Sequence, residues 1–282
     1  MKFNKKEAEL FVPDNEKMEI AFSRTTVLCI AAHQDDIEIM AFAPIIDCYG
    51  KNDKWFTGVV VTDGAGSPRS GIYQEYTDEA MKEIRIKEQK TASIIGKYSA
   101  QFQLAYPSSE VKDNDNASLI EEIKNIIEKC NPEVIYTHNL ADKHDTHVAV
   151  AIRVIQAIRL LDEDKRPRKV YSLEVWRGLD WLNDEDKSVF DTSGHPNVAS
   201  ALLGVYDSQI AGGKRYDLAA IGRRSSNATF FGSHSVDSSD SVSYGLDITE
   251  MTFDEKFPMT GFISKYIENF KNEVENRIKK FT

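Results

Sequence analysis

Thr26-Val27-Leu28-Cys29-Ile30-Ala31-Ala32-His33-Gln34-Asp35-Asp36 is the stretch on which the architecture turns. Residues 26–32 are a continuous β-type run with no polar alternation, the pattern of a strand buried on both faces. The next residues are polar, and 36–49 has helical spacing, with Pro44 expected to kink that helix. A buried strand that passes straight into a helix opens a parallel βαβ unit. The alternation continues outward from there. Residues 56–62 (FTGVVVT) read as a second strand, 63–68 as a Gly- and Pro-containing loop, and 78–96 as a long helix with Gly96 at its C-cap. Residues 100–105 form a third strand, 118–130 a helix closed by Asn131-Pro132, and 133–137 (EVIYT) a fourth strand. A polar loop spans 138–144, with Asp145 as N-cap of a helix to about Leu161. The expected fold is α/β: a Rossmann-like, mostly parallel sheet with helices on both faces.

The second half is less regular. Residues 170–176 look like a strand and 197–206 like a helix, whereas 212–245 is rich in Gly, Ser, Arg and Asn with little periodicity and reads as irregular loops. A C-terminal helix is expected over 262–280. No domain boundary stands out. The chain reads as one domain over 1–282, with its core at about 25–175 and a region of substrate-recognition loops and a final helix over 176–282.

At 282 residues the chain needs neither disulfide nor metal to build a core. Its 35 Lys and Arg against 45 Asp and Glu leave a net charge of -10, so there is no general electrostatic footprint for nucleic acid or an anionic membrane. No apolar stretch approaches the ~18 residues of a membrane span. Cys29, Cys48 and Cys130 are scattered, without a CxxC, which argues against a disulfide framework or a thiolate zinc site. The start, MKFNKKEAELF, lacks the apolar core of a signal peptide, and a cytoplasmic protein is expected, although a chain trimmed of its signal would look the same. Homo-oligomerisation is left open.

Two clusters carry chemistry. His33 and Asp36 lie three apart across the first strand-to-helix turn, at the carboxyl end of a strand, where open α/β sheets bind ligands. An imidazole and a carboxylate there suit zinc, and Asp35 is left over as general base. The second cluster is His138-Asn139-Leu140-Ala141-Asp142-Lys143-His144-Asp145-Thr146-His147, with three of the chain's six histidines. His147, in the first turn of the next helix, is a rigid platform for a third ligand. Two His and one Asp leave the fourth tetrahedral position open, as catalytic rather than structural zinc sites do. Taken singly, an Asp at a helix start is often only a cap, and a His-rich loop is often only a solvated surface. The metal reading gains weight because both clusters fall at the same sheet edge.

Ala32-His33-Gln34-Asp35-Asp36 resembles the AHPDD motif of the PIG-L/LmbE-like family of zinc-dependent de-N-acetylases, and His144-Asp145-Thr146-His147 resembles its HPDH. Thr62-Asp63-Gly64 is similar to the family's TDG loop and Arg85-Ile86-Lys87-Glu88 to its RxxE. The four motifs occur in the family's order over about residues 25–160. The resemblance implies a zinc-dependent hydrolase that removes an N-acetyl group from an amino sugar or sugar conjugate. It implies Zn2+ on His33, Asp36 and His147, Asp35 as general base, and His144 as partner of the oxyanion. Asp63 belongs with the substrate-binding residues in this picture. Arg85 would touch substrate hydroxyls or phosphates, or else pair with Glu88 along its helix. Three departures stand out. Gln34 replaces Pro, which is expected to change only turn rigidity. Thr146 replaces the Asp of HPDH, for which Asp142 or Asp145 would have to substitute. The stretch Leu104-Ala105-Tyr106-Pro107-Ser108-Ser109 lacks the acid that often follows the family's third strand.

Asp207-Ser208-Gln209 resembles a Ser-Gln of the same family. Residues 212–237 carry Lys214, Arg215, Tyr216, Arg223, Asn227 and His234, donors suited to an anionic or hydroxylated small molecule. The expectation is that this region closes over the metal, with Arg223, Asn227 and His234 as contacts; a self-bonded structural loop is the competing account. Two rival functions remain: a catalytically weak or inactive sugar-binding member of the same fold, and a nucleotide-binding α/β protein. The second is disfavoured because Asp63-Gly64-Ala65-Gly66 is not a GxGxxG after the first strand.

Overall fold

The computed structural model describes residues 1–282 apart from Glu255. In chain order the elements are β1 (Glu9–Phe11), α1 (Met18–Ser23), β2 (Val27–Ala31), α2 (Asp36–Met40), α3 (Phe42–Cys48), β3 (Phe56–Thr62), α4 (Asp78–Ile95), β4 (Ala100–Tyr106), α5 (Ser108–Lys112), α6 (Ala117–Cys130), β5 (Val134–His138), α7 (Asp145–Arg159), β6 (Lys169–Leu173), β7 (Ser188–Asp191), α8 (Pro196–Gly204), α9 (Asp207–Ile210), α10 (Tyr216–Phe230), β8 (Val242–Asp247), α11 (Thr249–Phe253) and α12 (Met259–Lys279).

The strands make one sheet in the order β1-β4-β3-β2-β5-β6-β8-β7. From β4 to β6 all pairings are parallel; β1, β8 and β7 are added antiparallel at the two edges. The mixed α/β, mostly parallel architecture is the expected one. All five residues of β2 are buried, and their alternation shows why the sequence pattern had no polar face. Leu28 and Ile30 pack into one core with Ile123, Ile126 and Ile127 of α6 and Val150 and Val154 of α7. Val27, Cys29 and Ala31 pack into the other with Ile37, Phe42, Ile45 and Leu202 of α2, α3 and α8. The three cysteines are free and buried, as their scatter suggests.

Helix α6 is typical of how these elements are specified. Asn116 caps it by accepting the Leu119 amide at 3.2 Å, Leu119, Ile123, Ile126, Ile127 and Cys130 make its inner face, and Asn131 ends it in the left-handed region before Pro132. Helix α4 differs. Thr77 caps it, but its buried face includes Arg85, Glu88, Gln89 and Ser93, a polar layer placed against the site.

Several boundaries depart from the sequence expectation. The helix over 36–49 breaks at Ala41, not at Pro44; proline falls in the first turn of α3, where its missing N–H costs nothing. His144, not Asp145, is the N-cap of α7, and that helix ends at Arg159. Gly96 is the C-cap of α4, as expected, but it stays right-handed, and Lys97 takes the positive φ of 52°. Gly96 is needed instead for close approach, since a Cβ there would lie 2.3 Å from the Tyr98 ring. The largest correction concerns 212–245. It contains α10, fifteen residues long, and the start of β8. Only Ala220 and Arg224 of α10 are buried, so the helix shows almost no apolar stripe to read. Among the described residues no helix is long and apolar enough to cross a membrane.

Candidate metal centre and active site

The chain leaves β2, fills β3 and β4 on one side, then crosses to β5 and β6 on the other. The topological switch point therefore lies between β2 and β5, and ligands of open α/β sheets bind at the carboxyl ends beside it. The turn after β2 carries His33, Asp35 and Asp36. The loop and helix after β5 carry Asp142, His144 and His147.

These side chains converge. Asp36 Oδ2 is 3.1 Å from His33 Nδ1 and 3.3 Å from His147 Nε2, and the two ring nitrogens are 3.1 Å apart. Asp36 Oδ2 also accepts the His33 amide at 2.7 Å, which holds the turn closed. Wider groupings share His147: one with His33 and His144, another with Asp36 and His138, their ligand atoms all within 4.8 Å. His138 is disfavoured as a ligand because its Nε2 lone pair accepts the Ala32 amide at 2.8 Å. Burial and the neighbouring His147 push His138 down to about 4, so it is neutral.

The donor set of two nitrogens and one oxygen fits a divalent zinc-type ion. So does the field around it. Burial opposes a charge on His147, but Asp36 and Asp142 outweigh it and push its pKa up to about 10. Against the cost of burial, His147 and His33 hold Asp36 well below the usual carboxylate range. The point between these groups thus favours positive charge.

Asp142 carries the outer support. Its Oδ2 lies 3.2 Å from His147 Nδ1 and accepts the Val175 amide at 3.1 Å; its Oδ1 accepts the His144 amide at 3.2 Å. Of the two acids weighed as substitutes for the missing Asp at position 146, Asp142 is buried against His147 and Asp145 is exposed. Neither leaves His144 with a carboxylate partner: His144 Nδ1 is buried with no hydrogen bond. Burial and the nearby His147 and His33 lower its pKa, so it is neutral near pH 7. Its ring stacks on His147 at 4.5 Å and meets His33 edge-on at 5.0 Å.

Asp35 sits beside this set in an unusual backbone state, φ 97°. Non-glycine residues hold such conformations only when the surroundings over-determine them. Here the Asp35 amide donates to Gln89 Oε1 at 3.3 Å, and the carboxylate lies 3.4 Å from Arg85 Nη2. Burial raises Asp35, Arg85 pulls it back and Asp36 raises it again, for a pKa of about 7. Gln89 is itself fixed: its Nε2 donates to Glu38 Oε1 at 3.0 Å and to Gln101 Oε1 at 3.2 Å. Glu38, wholly buried in α2, also accepts from the Tyr98 and Tyr206 hydroxyls at 2.7 and 2.6 Å. Gln34 turns out to be a tether rather than a change in turn rigidity alone: its Nε2 donates to Thr62 O at 3.1 Å, and its carbonyl accepts from Arg85.

Arg85 reaches the site but is only 1% exposed, engaged by Gln34, Asp35 and Glu88. Glu88 in turn accepts the Ser208 amide and hydroxyl at 2.7 and 2.6 Å, which joins the RxxE helix to Ser208-Gln209. Asp63 accepts the Ala65 amide and pairs with Lys82 at 3.0 Å, and lines a separate cavity.

The metal-ligand candidates, Asp35 and Arg85 open onto a cavity of about 470 Å³. Its lining also includes Ser108, Lys112, Trp176, Gln209, Lys214 and Tyr216. Of the 212–237 region, Lys214 and Tyr216 are brought here; Arg223, Asn227 and His234 are not. Arg223 donates to Val175 O and Arg177 O, Asn227 donates to Val242 O, and both face a small cavity of about 30 Å³ behind α10. His234 is exposed between α10 and β8. The sequence reading also passed over Trp176, Lys112, Gln89 and Glu38. Trp176 lay at a strand end with no motif, and Glu38 and Gln89 looked like ordinary polar helix residues.

The GlcNAc-PI de-N-acetylase family model, PIG-L, matches residues 28–158. No curated protein sequence matches the chain. Among solved structures, 4-carboxy-2-hydroxymuconate hydratase GalB of Pseudomonas putida KT2440 is 17% identical with a TM-score of 0.61, covering 79% of this chain and 95% of its own. N,N'-diacetylchitobiose deacetylase of Pyrococcus horikoshii is 13% identical with a TM-score of 0.59, over 86% and 91%. The A40926 pseudoaglycone deacetylase Dbv21 is 16% identical with a TM-score of 0.58, over 80% and 97%. At these identities the structures share the fold. The matched segment runs from β2 into α7 and contains His33, Asp35, Asp36, His144 and His147, so residues 28–158 of this chain form a PIG-L domain.

Proposed function

We propose that this chain is a zinc-dependent N-deacetylase that hydrolyses the acetamide of an amino sugar or sugar conjugate. The observation that carries the reading is the meeting of His33, Asp36 and His147 within 3.3 Å, with the buried Asp35 beside them at the mouth of one cavity. The PIG-L match and the deacetylases among the fold relatives support it.

His33, Asp36 and His147 would hold the ion. Bound there, zinc supplies Lewis acidity toward the amide carbonyl and the attacking water. Asp35, with a pKa of about 7, takes the proton of that water as it attacks. The pKa is close enough to neutral for the same carboxyl group to return the proton to the departing amine. Neutral His144 offers a ring N–H to the developing oxyanion, a contribution of electrostatic type rather than proton transfer. Arg85 keeps Asp35 oriented, and Trp176 and Tyr216 provide an aromatic wall on which a sugar face can stack.

The zinc-loaded protein, incubated with a panel of N-acetylated monosaccharides, disaccharides and glycosides, is expected to release acetate and the free amine in equal amounts, read by mass spectrometry. A fully metallated protein that releases acetate from none of them would refute the reading. The orphaned Nδ1 of His144 favours one alternative, a sugar-binding member with weak or no turnover. In that case the same panel binds without being hydrolysed.

A further inference from the structure

We infer that the exposed apolar face of α12 is a self-association surface: it binds the same face of a second copy of this chain, the two helices lying antiparallel about a twofold axis near Val274. The inference does not depend on the N-deacetylase reading and gives the chain a partner rather than a substrate.

Helix α12 runs from Met259 to Lys279, but only its start belongs to the body. Phe262 and Ile263 are buried in the core that also holds Ile248 and Met251, and Tyr266 packs against it. From Ile267 onward no residue is buried. A helix with water on every side is expected to be polar all round. This one is not. Ile267, Phe270, Val274, Ile278 and Phe281 are 36–80% exposed. Phe281 lies just past the last turn, and Lys280 before it is still right-handed, so the spiral continues through it. At 3.6 residues per turn these five and Ile263 fall inside an arc of about 80°. Asn269, Asn272 and Asn276 occupy the opposite side. The result is an amphipathic rod whose apolar stripe lies open to solvent.

The spacing suits another helix. Ile267 and Ile278 are eleven residues apart, and so are Phe270 and Phe281. An eleven-residue repeat is close to three whole turns, so the stripe runs almost straight along the rod and a second straight helix can follow it over its whole length. Ile263 lies on the same stripe and is covered by the body, so the body occupies that side of the helix at its start. Packed helices run about 8–10 Å apart. A parallel pair would force both bodies into that gap at one level. An antiparallel pair puts them at opposite ends, with the partner's Phe281 against Ile267, the partner's Ile278 against Phe270, and the two copies of Val274 on the axis. The overlap then stops one turn short of Ile263.

The charges beside the stripe fit the same arrangement. One side reads Glu268, Lys271, Glu275, Lys279, and the other carries Glu273 and Arg277. Within one copy they form exposed pairs along the helix: Lys271 with Glu268 at 2.9 Å and Glu275 at 4.0 Å, Lys279 with Glu275 at 3.7 Å, and Arg277 with Glu273. In an antiparallel pair each side faces its own reversed copy. A row of alternating sign that begins with an acid and ends with a base meets opposite sign when reversed. Lys271 thus faces the partner's Glu275, and Arg277 the partner's Glu273, each twice by symmetry. Residues 267–281 hold three acids and four bases, so two copies meet here without the repulsion expected of a chain whose net charge is -10. Those three acids, in an acidic chain, also disfavour an anionic lipid surface as the occupant.

The test is sedimentation equilibrium of the full chain. A reversible dimer is expected, with a dissociation constant on the order of 10 µM for a contact of this size. Val274→Asp sets two carboxylates together at the axis and should weaken the dimer about 30-fold or more. Lys271→Glu should weaken it about tenfold, and Lys271→Glu combined with Glu275→Lys should bring it back to within about threefold of wild type. All these positions are exposed, and melting curves check that the variants fold. Orientation is read by disulfide trapping, because the native cysteines are buried. Ile267→Cys and Phe281→Cys proteins, prepared separately and mixed under mild oxidation, should link to each other and not to themselves. A chain that stays monomeric up to about 200 µM, or a dimer indifferent to Val274→Asp, overturns the inference. Self-linking of the Ile267→Cys protein overturns the antiparallel order. A monomer that binds phosphatidylglycerol vesicles through this helix overturns it in favour of a membrane surface.

Discussion

Replacing Asp142 by alanine is expected to weaken both metal binding and folding from a residue outside the cavity lining. Asp142 is 6% exposed, and three groups depend on it: His147 Nδ1 at 3.2 Å, the Val175 amide at 3.1 Å and the His144 amide at 3.2 Å. The first sets the ring orientation and tautomer that would present Nε2 to a bound metal. Losing such an outer partner typically weakens metal binding 10–100-fold. The other two are backbone donors, and the one on buried Val175 cannot turn to water. Stranding a buried donor costs about 1–3 kcal/mol. Asp142→Ala is therefore expected to raise the zinc dissociation constant about 10–100-fold, measured by competition with a chromophoric chelator, and to lower stability by about 2–4 kcal/mol in urea titration, the Val175 cost plus a smaller one at the half-buried His144. Asp145→Ala, an exposed acid on the same segment, is the control and should change neither. A zinc dissociation constant for Asp142→Ala within threefold of wild type would refute the argument, because His147 would then be held by something other than this carboxylate.

His33→Ala and His147→Ala should each abolish stoichiometric zinc, read by elemental analysis; full metal content in both would remove the assignment. Asp35→Asn should keep the fold and the metal but slow acetate release ~10²–10⁴-fold, the range for a lost general base, and loss of metal instead would make Asp35 a ligand. Glu38→Ala should cost about 3–5 kcal/mol in urea titration, because the Tyr98 and Tyr206 hydroxyls and the Gln89 amide lose their common buried acceptor. A loss below about 1 kcal/mol would mean that water replaces it.

The candidate site was legible in part, and what divided the legible residues from the others was how local their job is. His33, Asp35 and Asp36 occupy one turn, and His144 and His147 one helix start, so spacing alone placed each group at a strand's carboxyl end. The support beneath them is assembled across long stretches of chain. Asp35 is positioned by Gln89, Gln89 by Glu38 and Gln101, and Glu38 by Tyr98 and Tyr206. Each of these is a plausible surface residue until the chain is folded. Arg223 and His234 show the converse: donor-rich sequence suggested a recognition loop, but α10 turns Arg223 toward Val175 O and Arg177 O, away from the cavity that Lys214 and Tyr216 enter.

By itself the sequence determined the α/β class and the two turns that carry the candidate ligands, because those rest on short-range pattern: an apolar run too uniform for an exposed face, and His and Asp at fixed spacing beyond it. Tertiary structure alone decided that β2 and β5 are neighbours, although more than a hundred residues separate His33 from His147. It also decided that Asp142 rather than Asp145 backs His147, and that Lys112 of α5 and Lys214 ahead of α10 share one cavity. The physical reason is that strand order and crossover side are set by how the two hydrophobic cores close against opposite faces of the sheet. That is a property of the whole packed chain, which no local window contains.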